Sequence, residues 1–155
     1  MNAHHIATYP FLESTTALDD FFSRWNAGTL PKPGWTHAAH VAMAAYLAFE
    51  HSPEDALDLM RAGILHYNTC VGTPNTEDSG YHETLTRFWS GEVGDVVRAG
   101  EFASHLEAVR HAVERFGGDR DRYRRFYTFD VVRDRRARHE WVPPDRVQPE
   151  PSSGK

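Results

Sequence analysis

The sequence predicts an all-α fold, a compact helical bundle of four to six helices, and three observations predict it. Apolar residues recur at helical spacing in one segment after another, beginning with Leu18, Phe21, Phe22 and Trp25. Those segments are bracketed by good caps and stops: Thr36, Ser52 and Pro53 at starts, Gly28, Gly72 and Gly117 at ends. No alternating apolar run lies between hairpin turns, so nothing is available to build a sheet. With 155 residues, 40% hydrophobic and 12% aromatic, the chain has material for one core and too little for two ordinary domains. Residues 1–141 are read as the single domain. Residues 142–155, with Pro143, Pro144, Pro149 and Pro151, read as a disordered tail.

The first helix is expected from Ser14 or Thr15 to about Asn26, with Gly28 as its stop. Pro31, Lys32, Pro33 and Gly34 form a stiff linker that helix cannot cross. The second helix, His37 to about Glu50 behind the Thr36 cap, is apolar nearly all round and is expected to be central. Its alanines keep it thin. Ser52, Pro53, Glu54 and Asp55 start a third helix that runs to about Val71 and stops at Gly72. A polar loop, Thr73 to Ser79, precedes a fourth helix beginning near Gly80 or Tyr81, which Gly91 and Gly94 threaten to break. A fifth helix covers Phe102 to Phe116, a shorter one Arg120 to Tyr127, and a last turn of helix falls near Arg133 to Arg138.

Composition narrows the function classes. The net charge of −5 is interspersed rather than blocked, which disfavours nucleic acid and anionic membranes as partners. The lone cysteine, Cys70, excludes an intrachain disulfide and a cysteine-built zinc cluster. No apolar stretch reaches the roughly 20 residues of a membrane span, and the first ten residues lack the pattern of a signal peptide. The cytoplasm is the default compartment. Between Arg120 and Arg138, arginines interleave with Tyr123, Phe126, Tyr127 and Phe129, but Asp119, Asp121, Asp130 and Asp134 interrupt them. A solvated face whose arginine stems cover core aromatics is the better reading than a nucleic-acid surface.

Chemistry is expected between Trp35 and Arg87. The chain has ten histidines. His37 and His40 share a helix face, three residues apart. If the second and third helices are antiparallel, His66 comes level with them, and the loop after Gly72 returns His82 to the same end. His37, His40, His66 and His82, or three of them, are therefore the candidate ligands of a divalent zinc, nickel, iron or manganese ion. A helix start disfavours imidazolium, and neutral imidazole is the form that ligates metal. Neighbouring His82 and Glu83 point about 100° apart on an ideal helix, so one of them is inward. His82 shares a face with Leu85, Thr86 and Trp89, which leaves Glu83 as a base, an orienting partner or a salt bridge to Arg87. Tyr67 and Tyr81 are candidate donors, and Asn68, Asn75, Thr76 and Arg87 candidate substrate contacts. His66 is placed on an inward stripe with Leu59, Ala62, Gly63 and Cys70; packing is the expected role of that cysteine. His4, His5, His51, His105, His111 and His139 have no convergent partners and are assigned to surface or edge.

A bundle with histidines converging at one end resembles, in architecture and ligand type, the DinB-like metal-binding bundles, though no motif is shared along the chain. The leading reading is a metal-dependent enzyme acting on a small molecule, a hydrolase or a related activity. Metal-free acid–base chemistry, a non-catalytic ligand- or metal-binding module, and an interaction protein whose histidines are satisfied internally are the alternatives. The expected partner is a small-molecule ligand, with self-association into a homodimer left open.

Overall fold

The computed structural model describes residues 9–146. Six α-helices build it: α1 Thr15–Ala27, α2 His37–Glu50, α3 Pro53–Cys70, α4 Glu83–Ala99, α5 His105–Phe116 and α6 Arg135–His139. Short 3-10 turns cover Pro10–Leu12, Lys32–Gly34, Arg122–Arg125 and Val131–Arg133, and there is no strand among the described residues.

The boundaries follow local chemistry. Ser14, Thr36, Ser52, Ser104 and Asp134 each accept a backbone N–H three residues on, at the starts of α1, α2, α3, α5 and α6. Gly28 ends α1 in the left-handed region at φ 79°, where only glycine is free of strain. Gly91 and Gly94 do not break α4. Gly94 is buried in the helix interior, and the helix gains its stability from packing rather than propensity.

α2 is the axis of the fold, with α3, α4 and α5 all packed against it. Ala38, Ala39, Ala42 and Ala45 are buried on it, and their small side chains let those neighbours approach. α1 closes the remaining side against α3 and α5. Residues 117–146 then wrap the end of the bundle where α2 starts. Tyr123, Tyr127, Val131 and Ala137 of this segment form a separate small core with Phe88 of α4.

Three expectations need correcting. The shorter helix at Arg120 to Tyr127 is a 3-10 turn, Arg122–Arg125. Residues 142–146 are not tail: Val142 N–H donates to Thr84 Oγ1 at 3.0 Å, Thr128 donates to Asp145, and Arg146 donates to the Tyr127 carbonyl. The rest of the expected tail, with His4 and His5, lies outside the described residues. Finally, the inward stripe of α3 is Ala56, Met60, Gly63, Ile64 and Tyr67, not the one through Leu59 and Cys70. Leu59 is exposed, as are His66 and Cys70. Gly63 packs directly against Trp25, where any Cβ would overlap the ring.

No helix among the described residues is long and apolar enough to cross a membrane.

Candidate functional site

The start of α2, the end of α3 and the start of α4 meet at one end of the bundle, as the antiparallel reading required. Between them and residues 117–146 lies a cleft of about 1200 Å³. His37 and His40 line it from α2, Tyr67 and Asn68 from α3, and Tyr81 and His82 from the approach to α4. Sequence reading named all six. The other wall was missed: Tyr123, Arg124, Asp130 and Arg133 reach in from residues 117–146, and Trp35 and Trp89 form the aromatic sides. The face shared by His82, Leu85 and Trp89 was a usable signal for Trp89; nothing local announces that residues 120–133 fold back.

Each histidine is defined by what its two nitrogens do. His40 Nδ1 lies 2.9 Å from the carbonyl of Thr36, one turn back. A carbonyl cannot donate, so Nδ1 carries the proton and Nε2 keeps its lone pair. The ring stacks on Trp35, centroids 3.8 Å apart, and burial pushes its pKa down to about 4. Ala44, one turn on, also lines the cleft and leaves room beside the ring. His37 is the mirror case. Its Nε2 donates to the Phe116 carbonyl at 3.0 Å, so Nδ1 is the unprotonated nitrogen. Burial lowers its pKa, the Phe116 carbonyl opposes that, and Arg120 adds to the lowering. Its ring meets Trp89 edge-on at 4.7 Å.

His82 is fully committed. It is the N-cap of α4 rather than a first-turn residue: Nδ1 accepts from Leu85 N–H at 3.2 Å and Nε2 donates to the Val131 carbonyl at 2.8 Å. Burial lowers its pKa, which suits a ring serving as donor and acceptor at once. It has no lone pair left for a metal. His66 is absent from the cleft; its Nε2 sits 3.5 Å from Cys70 Sγ on the exposed side of α3. The four histidines are thus not brought together as a set. Among the described residues, no group of three or more His, Cys, Asp or Glu side chains is placed to hold a metal ion.

The remaining candidates sort by contact. Glu83 turns away from the cleft to Arg61, which donates to both of its oxygens at 2.9 and 2.7 Å. That guanidinium holds the carboxyl below its usual range, and the Tyr81 hydroxyl donates to it at 2.6 Å. Glu83 is therefore a clamp on Tyr81 rather than a free base. Its partner is Arg61, not Arg87, whose guanidinium lies over the Trp141 ring at 4.9 Å. The Tyr67 hydroxyl is likewise spent, donating to the Leu30 carbonyl at 2.9 Å, so its ring rather than its proton faces the cleft. Asn68 donates to Asn75 Oδ1, which also takes the backbone N–H of Tyr81. Thr76 accepts from Asp78 and Ser79 within its own loop. Asn75 and Thr76 shape the wall without lining it.

The segment that sets Tyr81 and His82 is held from behind. Arg138, buried, donates to the carbonyls of Gly80, Tyr81 and Val132. Gly80 has φ 82°, and a Cβ there would collide with the Pro74 carbonyl and Asn75. Thr84, wholly buried, donates to the Glu140 carbonyl and accepts from Val142 N–H. These contacts lock the cleft wall to the C-terminal segment.

Fold and cleft define a helical bundle with a polar, aromatic-walled site at one end. Comparison with known protein-family models, with curated proteins and with solved structures finds no match for this chain.

Proposed function

We propose that the cleft is the site of an enzyme that acts on a small molecule by metal-free acid–base chemistry. One observation carries the reading: His40 is a half-buried imidazole whose pKa burial lowers, with one nitrogen anchored and the other free, lining a cleft with room for a small molecule. Anchoring Nδ1 fixes the tautomer and aims the ring, which is what a catalytic or recognition imidazole needs. At neutral pH His40 meets a ligand as hydrogen-bond acceptor. A negative charge brought beside it raises its pKa towards the range where proton transfer is efficient.

His37, three residues away and also neutral, supplies a second lone pair. Two imidazoles fall short of the three or four protein ligands a zinc, nickel, iron or manganese site ordinarily has. The metal-dependent reading is therefore the competing proposal, and the same experiment separates them.

Tag-free protein is screened by thermal shift against small metabolites and against zinc, nickel, ferrous and manganese salts. Each stabilising compound is then incubated with the protein and followed for turnover. The expected result is an organic ligand that stabilises the wild type by several degrees, is consumed, and loses its effect in His40→Gln. A ligand indifferent to His40→Gln contradicts the proposal. Stoichiometric metal lost in His37→Ala and His40→Ala supports the competitor instead.

A further inference from the structure

We propose that the cleft takes a small organic anion, its charged group held at the mouth by Lys32 and Arg120 and its flat unsaturated body lying against Trp35 and Trp89. The inference rests on the cleft being a small-molecule site and names the class of molecule.

The charges around the cleft are the first ground. The chain carries a net −5, yet the residues lining the cleft include four cations, Lys32, Arg120, Arg124 and Arg133, and two carboxylates, Asp121 and Asp130. Each carboxylate is already matched: Arg124 lies 3.4 Å from Asp121, and Arg133 lies 3.7 Å from Asp130. Among the described residues neither Lys32 nor Arg120 is in an ion pair, and both are exposed at the opening. An excess of positive charge over a cleft in an acidic protein attracts anions and repels cations. Glu83, which would oppose an anion, is turned to Arg61.

The interior is the second ground. Neutral His37 and His40 add no charge, and the depth of the cleft is aromatic and aliphatic, with Trp35, Trp89, Tyr67, Ile64 and Met60. Flat π surface meets such walls well by stacking or edge contacts. Inside, each imidazole offers a lone pair, which accepts a hydroxyl or N–H of the ligand. A charged end outside and a flat end within is the complement of that arrangement.

The test uses two probes of one shape, para-trifluoromethylbenzoate and para-trifluoromethylbenzamide, with binding read by fluorine NMR on the full chain at millimolar concentration. The benzoate is expected to bind about tenfold more tightly than the amide. That preference is expected to vanish in the Lys32→Ala/Arg120→Ala variant, with amide binding unchanged. Added salt is expected to weaken the benzoate alone, an outcome that needs no variant. Equal affinity for the two probes, a benzoate preference that survives the double substitution, or no benzoate binding overturns the assignment. Equal affinity that is lost in His40→Gln would overturn the anion alone and leave the proposed site standing.

Discussion

His37 and His40 open α2, and Glu50 and His51 close it, so one helix carries histidines at both ends. At the closing end Glu50 takes His51 at 3.4 Å and His105 at 3.1 Å, and the pairs are partly open to solvent. At the opening end, among the described residues, no carboxylate is bonded to either ring; each imidazole bonds a backbone carbonyl with one nitrogen and leaves the other without such a bond. All four rings are half-buried, and what separates the two ends is the partner. An imidazole beside a half-exposed carboxylate is held by a weak, screened pair. An imidazole that donates to a carbonyl beside apolar walls is kept neutral and in one tautomer, with its other nitrogen able to accept from a ligand.

The contrast can be broken most forcefully with pH. The unfolded His40 imidazole takes a proton near 6.5 and the folded one near 4. Between those values the unfolded chain binds more protons, so lowering pH favours unfolding, and raising it restores stability. His40 alone is expected to cost up to about 3 kcal/mol across that window. His37 and His82, also lowered, act with the same sign. Urea titrations from pH 7 to pH 4 are expected to show a steeper loss in the wild type than in His40→Gln; parallel curves would erase the difference between the two ends.

His82→Ala probes the buried cap. It removes two hydrogen bonds, leaving Leu85 N–H without its partner and the Val131 carbonyl with Asp134 N–H alone, at an expected cost of about 2 kcal/mol in chemical denaturation. A loss below about 0.5 kcal/mol would mean that the ring is not the tie between α4 and the C-terminal segment. The smallest effect belongs to the closing end, where His51→Ala is expected to change stability by less than about 0.5 kcal/mol.

Caps, stops and apolar spacing made the helices legible in the sequence, since those signals act over a few residues. The meeting of α2, α3 and α4 was legible for the same reason, because short connections between helices leave few arrangements. What escaped was set by contacts distant in sequence. Gly63 lies on both the expected and the observed stripe of α3, and the burial of Met60, Ile64 and Tyr67 beside it, with Trp25 against Gly63, turns Leu59, His66 and Cys70 outward. Helical spacing offers Glu83 a salt bridge to Arg87 beside a role as base or orienting partner, whereas Arg61 reaches it from a neighbouring helix. His82 was placed inward correctly, but both of its nitrogens are consumed by partners, one of them Val131, 49 residues on. Counting histidines found the place; the partners of each nitrogen decide which of them are free.

The central claim is that His40 waits in the cleft neutral, protonated on Nδ1, with Nε2 bare. Proton–nitrogen correlation NMR of the histidine rings, followed through a pH titration, reads this directly. The account expects the His40 ring in the Nδ1–H tautomer at neutral pH, with a midpoint near 4. An Nε2–H tautomer, or a midpoint near the ordinary 6.5, would contradict it.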